Sequence, residues 1–249
     1  MEFEPDYDSR AYVQGMEHLV GVVQQLSLAR NLEGVVEVVR HAARDLTGAD
    51  GATFVLRDGE CCHYVDEDAI EPLWRGKRFP MSSCISGWSM LHARSVAIED
   101  IYADERIPAD AYRPTFVRSL VMVPIRIEQP IGAIGNYWAS HHRAPPHEIK
   151  LLESLAHSTA VALENASLVN SLRTALADAT AARDQLQRQL DLRDDFISVV
   201  AHELRTPVTT LQLQLAKLGK WIDEDDFIGH PRCAGLARYF TVNQRQLLD

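Results

Sequence analysis

The strongest constraint on the fold lies in the last third of the chain. Leu172, Leu176, Ala179, Leu186, Leu190, Ile197, Val200 and Leu204 follow one another on alternating steps of four and three. That spacing sets all of them on one stripe of an α-helix, the seam of a coiled coil or helical bundle. Arg183 and Arg193 occupy steps of the same series, and Asn165 lies on it upstream. Polar seam residues are costly, and they mark either solvated, loosely packed layers or a segment with two competing arrangements. With Val200 at d and Leu204 at the next a, His202 falls at f, away from the seam and toward water. Glu203 follows directly, close enough in principle to hydrogen-bond one imidazole nitrogen and leave the other as a nucleophile. Pro207 removes a backbone donor and crowds the preceding turn, so a kink is expected just after the histidine. Val208, Leu211, Leu215, Leu218 and Ile222 then restart the periodicity in the shifted phase of a stutter.

The chain's 249 residues allow one large or two small domains, and its hydrophobic content of 46% is enough for packed cores. The densest apolar run, Ser119-Leu-Val-Met-Val-Pro-Ile125, is strand-sized and interrupted by proline, so no transmembrane segment is expected. The N-terminus is acidic instead of basic-then-apolar, unlike a signal peptide, and the expected location is the cytoplasm. A formal charge of -10 argues against broad nucleic-acid binding, which needs basic surface to displace counterions. Four cysteines, two of them adjacent at Cys61 and Cys62, make neither a disulfide framework nor a CxxC pair, and reduced thiols are expected.

Before the seam, residues 11–28 carry apolar positions at helical spacing, and a second helix is expected from Asn31 as N-cap to Gly48. Ala52-Thr-Phe-Val-Leu56 and Cys62-His-Tyr-Val65 read as strands around a tight Asp58-Gly59 turn. The runs at 119–127 and 131–138 read as a central antiparallel hairpin. A long helix opens after Pro146, with Glu148 suited to the positive end of its dipole. The sum is an α+β architecture, an antiparallel sheet with helices on one face.

Two resemblances sharpen this reading. Phe196-Ile-Ser-Val-Val-Ala-His-Glu-Leu-Arg-Thr-Pro207 resembles the H-box of the dimerisation and phosphoacceptor domain of sensor histidine kinases. The resemblance implies that His202 is the phosphoacceptor, Glu203 its acid/base neighbour and Thr206 a residue used in dephosphorylating the partner, with Pro207 at the kink. Ser86-Gly-Trp-Ser-Met-Leu-His-Ala-Arg-Ser-Val-Ala-Ile-Glu-Asp-Ile101, with the segments 118–125 and 131–135, is similar to a GAF sensory domain. Such domains bind cyclic nucleotides, bilins, haem, small metabolites or nothing, so the resemblance leaves the ligand unknown.

The organisation implied is a tail at 1–14, a GAF domain at 15–167, a coiled-coil linker at 168–193 and an incomplete dimerisation/phosphoacceptor domain at 194–249. The last domain would begin a dimeric four-helix bundle. Val242-Asn-Gln-Arg-Gln-Leu-Leu-Asp249 resembles part of its second helix. The asparagine and glycine-rich lid motifs of the ATP-binding domain are missing from the 249 residues, so ATP and Mg²⁺ would act at a site outside this chain and phosphate would arrive in trans. The implied partners are a second copy of the chain, an ATP-binding domain and the receiver domain of a response regulator. The implied enzyme is a protein histidine kinase. The alternative is a phosphotransfer or ligand-binding GAF module without kinase activity.

For the GAF ligand the sequence offers Cys84, Trp88, Tyr112 and Trp138 as pocket candidates. Cys84 could anchor a tetrapyrrole or act as a redox thiol, against the simpler reading of a packed free cysteine. The Cys-His dipeptide of bilin-binding relatives is not at its usual place; Cys62-His63 sits in an early strand instead. His141, His142 and His147 flank an Arg-Ala-Pro-Pro turn, and no metal site is expected there.

Overall fold

The computed structural model describes residues 7–223 of the chain. Helix α1 spans Tyr7–Leu28, beginning a turn earlier than its apolar periodicity suggests, and α2 spans Leu32–Thr47. Asn31 caps α2 as expected, its side chain accepting from the Gly34 amide at 3.0 Å. Gly48 ends the helix in the left-handed conformation at φ 62°, which a residue without Cβ adopts without strain.

Six antiparallel strands follow: β1 Gly51–Asp58, β2 Cys61–Ala69, β3 Arg78–Pro80, β4 Val96–Ile98, β5 Ser119–Ile125 and β6 Gly132–Trp138. Their order across the sheet is β3-β2-β1-β6-β5-β4. The Asp58-Gly59 turn and the β5/β6 hairpin stand where the sequence places them, with Ser119 opposite Trp138 and Ile125 opposite Gly132. Between β3 and β4 lies α3, Ile85–His92, and between β4 and β5 the single turn α4, Ala109–Tyr112.

The expectation of helices on one face is only half of the architecture. Alternation along the strands feeds two cores. Phe54, Val121, Val123, Ile125, Ile134 and Trp138 pack with α1, α2 and the first turns of α5; Val55, Leu120, Met122, Ala133 and Tyr137 pack on the other face with α3 and its flanking loops. Strands β5 and β6 are buried along their whole length, as a sheet covered on both faces requires. Asn136 ties the first layer together: its buried amide donates to the Ala43 carbonyl at 2.6 Å and to Thr47 Oγ1 at 2.7 Å.

Helix α5 runs from Pro146 to Asp223, 78 residues, with Glu148 in its first turn and Pro207 inside it. The helical backbone continues through Pro207. Around it the hydroxyls of Thr206, Thr209 and Thr210 each donate to the carbonyl four residues back, at 3.5, 2.7 and 2.9 Å. Contacts divide the chain into one compact unit to Ala175 and a second from Leu176. The expected second bundle helix, at 242–249, lies outside the described residues. No described helix is long and apolar enough to cross a membrane.

Candidate functional site

Two groups of side chains carry chemistry, one in each unit. In the first unit the face of the sheet under α3 is lined by aromatic rings. Tyr64 and Trp74 meet edge to face at 5.6 Å, Trp74 and Tyr112 at 4.9 Å, and Trp74 and Tyr137 at 5.5 Å. Phe79 closes on Tyr64 from β3 at 5.5 Å. Their polar ends are paired inward: Tyr137 with Thr53 Oγ1 at 2.9 Å, Tyr64 with Ser86 Oγ at 3.0 Å, and the Trp74 indole with the Ala111 carbonyl at 3.4 Å. Burial pushes the Tyr64, Tyr112 and Tyr137 hydroxyls above the usual phenol range, so they stay protonated.

The loop carrying Trp74 is held by one carboxylate. Glu67 accepts the amides of Leu73, Trp74 and Arg75, all at 2.8 Å. Helix α3 sits close on the neighbouring turn because position 87 is glycine; a Cβ there would overlap the Met81 carbonyl. Cys84, the N-cap residue of α3, enters the same core.

The pocket residues expected from the sequence divide between the two faces. Cys84 and Tyr112 are buried in the core under α3, and Trp88 packs against its edge, stacked on His92 at 4.4 Å with the Arg106 guanidinium 4.7 Å above its ring. Trp138 belongs to the opposite core and stacks on His142 at 4.2 Å, so it does not join the other three. Strand parity decides this, since Trp138 and its neighbour Tyr137 must face opposite ways. Tyr64, Trp74, Tyr137 and Ser86 take the place expected of Trp138, and the sequence signal for Tyr137 is that same parity. Glu67 gives no such signal, because its partners are backbone amides.

His142 pairs with Glu148 at 2.8 Å, and His141 Nδ1 lies 3.1 Å from the Glu99 carbonyl. Among the described residues no group of three metal-type side chains converges.

In the second unit His202 and Glu203 are exposed, their side chains 74% and 78% accessible. His202 Nδ1 stands 3.8 Å from Glu203 Oε1, an ion-pair distance beyond a hydrogen bond. Thr206 lies one turn on, its hydroxyl directed to the His202 carbonyl. The stripe residues Leu172, Leu176, Leu186, Ile197 and Leu204 are all more than half exposed in the single chain.

Solved structures share the fold of the first unit. The GAF domain of an Acinetobacter phosphoenolpyruvate-protein phosphotransferase superposes with a TM-score of 0.56 at 15% identity, covering 64% of this chain and 98% of its own. That of the corresponding protein of Coxiella burnetii gives 0.57 at 16%, covering 64% and 98%. The free methionine-R-sulfoxide reductase of Neisseria meningitidis, solved with its substrate, gives 0.55 at 16%, covering 68% and 97%. At these identities the likeness is one of fold. The GAF domain family model matches residues 29–164, more than half of the sequence and all six strands, and the chain belongs to the GAF domain family.

Proposed function

We propose that the chain is the sensory and phosphoacceptor portion of a two-component histidine kinase, in which the GAF domain controls phosphorylation of His202 and transfer of that phosphate to a response-regulator aspartate. The observation that carries this reading is the placement of His202, off the apolar stripe and open to solvent, within a twelve-residue match to the H-box. An in-line attack on a γ-phosphate needs an imidazole nitrogen that another domain can approach, and the f-type position provides one. Glu203 acts as the local acid/base group, moving onto Nδ1 when the nucleotide-bearing domain docks, since pairs of this kind tighten in the reacting complex. Thr206, one turn away on the same helix, takes the dephosphorylation role. Two copies associate through the apolar stripe of α5.

The test uses the chain with ATP, Mg²⁺ and a histidine kinase catalytic domain supplied in trans. An acid-labile label on the chain is expected, absent with ATP and Mg²⁺ alone. His202→Gln abolishes it, and Glu203→Ala slows it by roughly a hundredfold, the lower end of what general acid–base assistance supplies. Label that persists in His202→Gln overturns the assignment. Absence of label with every catalytic domain tried, together with tight binding of a small molecule to the first unit, would favour a ligand-binding GAF module instead.

A further inference from the structure

We propose that Cys62 and Cys84 form a peroxide-sensitive dithiol pair, with Cys84 attacking the oxidant and Cys62 resolving it to a disulfide that ties β2 to the start of α3.

The geometry begins with the strands. Cys62 and Tyr64 lie on the same face of β2, the face turned to the core beneath α3. Strand β3 brings the chain back along β2, pairing Cys62 with Phe79 and Cys61 with Pro80. Four residues later Cys84 is folded onto that junction, its sulfur 3.5 Å from the Pro80 carbonyl and 3.3 Å from Ser86 Oγ. Ser86 Oγ in turn bonds Tyr64 at 3.0 Å, so the Cys84-Ser86 segment lies over the Cys62-Tyr64 face. Cys62 and Cys84 belong to the same buried cluster, and each is the first influence on the other's acidity. Cys62 is fully buried and Cys84 is 8% exposed, leaving Cys84 the less buried residue of the two.

The electrostatics assign the roles. The neighbouring Cys62 thiol, with Ser86 and the Gly87 amide, outweighs burial and lowers the Cys84 thiol to about 6. The same contact, with burial, pushes Cys62 far up. A thiolate is the nucleophile toward peroxide, and Cys84 is the sulfur that can be one at neutral pH. Its sulfur attacks one oxygen of a hydroperoxide; the O–O bond breaks, and the other oxygen leaves with a proton as water or alcohol, giving a sulfenic acid. The Cys62 sulfur then attacks Cys84, the S–O bond breaks, and hydroxide leaves with the Cys62 proton as water. Two electrons pass from the two sulfurs to the peroxide. Cys61, one residue before Cys62, projects to the other side of β2 and cannot substitute.

Thiol oxidation at this site is independent of the chemistry of His202. Its test treats the full chain with hydrogen peroxide, blocks free thiols and maps peptides without reduction. The expected product is an intramolecular Cys62–Cys84 disulfide, reversed by dithiothreitol and formed at roughly a tenth of the peroxide dose that modifies Cys61, as a low-pKa thiol requires. In Cys62→Ser, Cys84 stops at the sulfenic acid and is captured by dimedone; in Cys84→Ser, Cys62 is untouched at the same dose. Cys61→Ser behaves as wild type. Circular dichroism checks each variant's fold, and mapping of the wild-type chain decides the matter alone should a variant not fold. Disulfides through Cys61 or Cys233, bridges between chains, or oxidation of Cys84 no faster than Cys61 would overturn the proposal.

Discussion

Single residues in this chain hold roles that their neighbours cannot share, and Glu67 is the clearest case. One carboxylate satisfies three successive amides of the loop bearing Trp74, each a charge-assisted bond. Glu67→Gln replaces an acceptor oxygen by a donor that faces an N–H. The loss is about 1–3 kcal/mol, and the Trp74 emission should shift red as its loop loosens; unchanged emission and urea midpoint would show that the loop is held by packing alone. The thiol pair supplies a second residue-level test. Above about pH 6 the folded pair holds one proton, because Cys84 is depressed to about 6 and Cys62 is raised. In the unfolded chain both thiols stay protonated up to about pH 8.5, so the unfolded state binds more protons between those limits. Stability contributed by Cys84 is therefore full above the upper limit and is lost as pH falls through the lower. Urea midpoints of wild type relative to Cys84→Ser should rise with pH across that window. A flat difference would remove the charged thiolate from consideration.

Elements are legible where one local rule governs them, and obscure where partners are remote in sequence. Asn31 and Gly48 bracket α2 as cap chemistry dictates, and the two hairpins follow from turn residues between apolar runs. The short β3 and β4 carry three residues each, too few for a period to show. The second core under α3 is hidden for a different reason: strands buried on both faces lose the alternation that tells one side from the other. That is why the sequence groups Trp138 with Tyr112 although they lie on opposite faces. The proposed phosphoacceptor role of His202 rests on its motif, and the 3.8 Å gap between His202 and Glu203 is a detail that no spacing rule carries. For α5 the element-level expectation concerns phase. Each residue inserted in a helix rotates the downstream turns by about 100°. Under the proposed kinase role, deleting Thr180 to Leu186, a full heptad, should leave phosphorylation of His202 regulated, whereas deleting Thr180 to Gln185 should fix it high or low. Equal behaviour of the two variants would make the helix a tether and remove transmission through its phase.

At the scale of the molecule, the first unit closes its own cores while helix α5 leaves its apolar stripe uncovered. Leu172, Leu176, Leu186, Leu190, Ile197, Val200 and Leu204 remain 36–68% exposed in the single chain. Covering a large apolar side chain completely is worth about 1.5–3 kcal/mol. At half that value, seven residues on each of two chains contribute about 10–21 kcal/mol, against the roughly 4–15 kcal/mol that association costs in lost freedom. Arg183 and Arg193, on the same stripe, subtract from this sum, but each is drawn to an adjacent aspartate, Asp184 at 2.9 Å and Asp194 at 3.1 Å, and can remain hydrated at the seam's edge. The expected outcome is a parallel homodimer through the apolar stripe of α5. Light scattering over a dilution series should give twice the chain mass at micromolar concentration. Ile197→Glu with Leu204→Glu places four carboxylates in the shared seam and should release monomers. Circular dichroism and near-ultraviolet signals of the first unit should stay unchanged, because neither position belongs to its cores. A wild-type monomer would refute association through the stripe. A dimer that survives the double substitution would move the contact elsewhere, to the first unit's own surface.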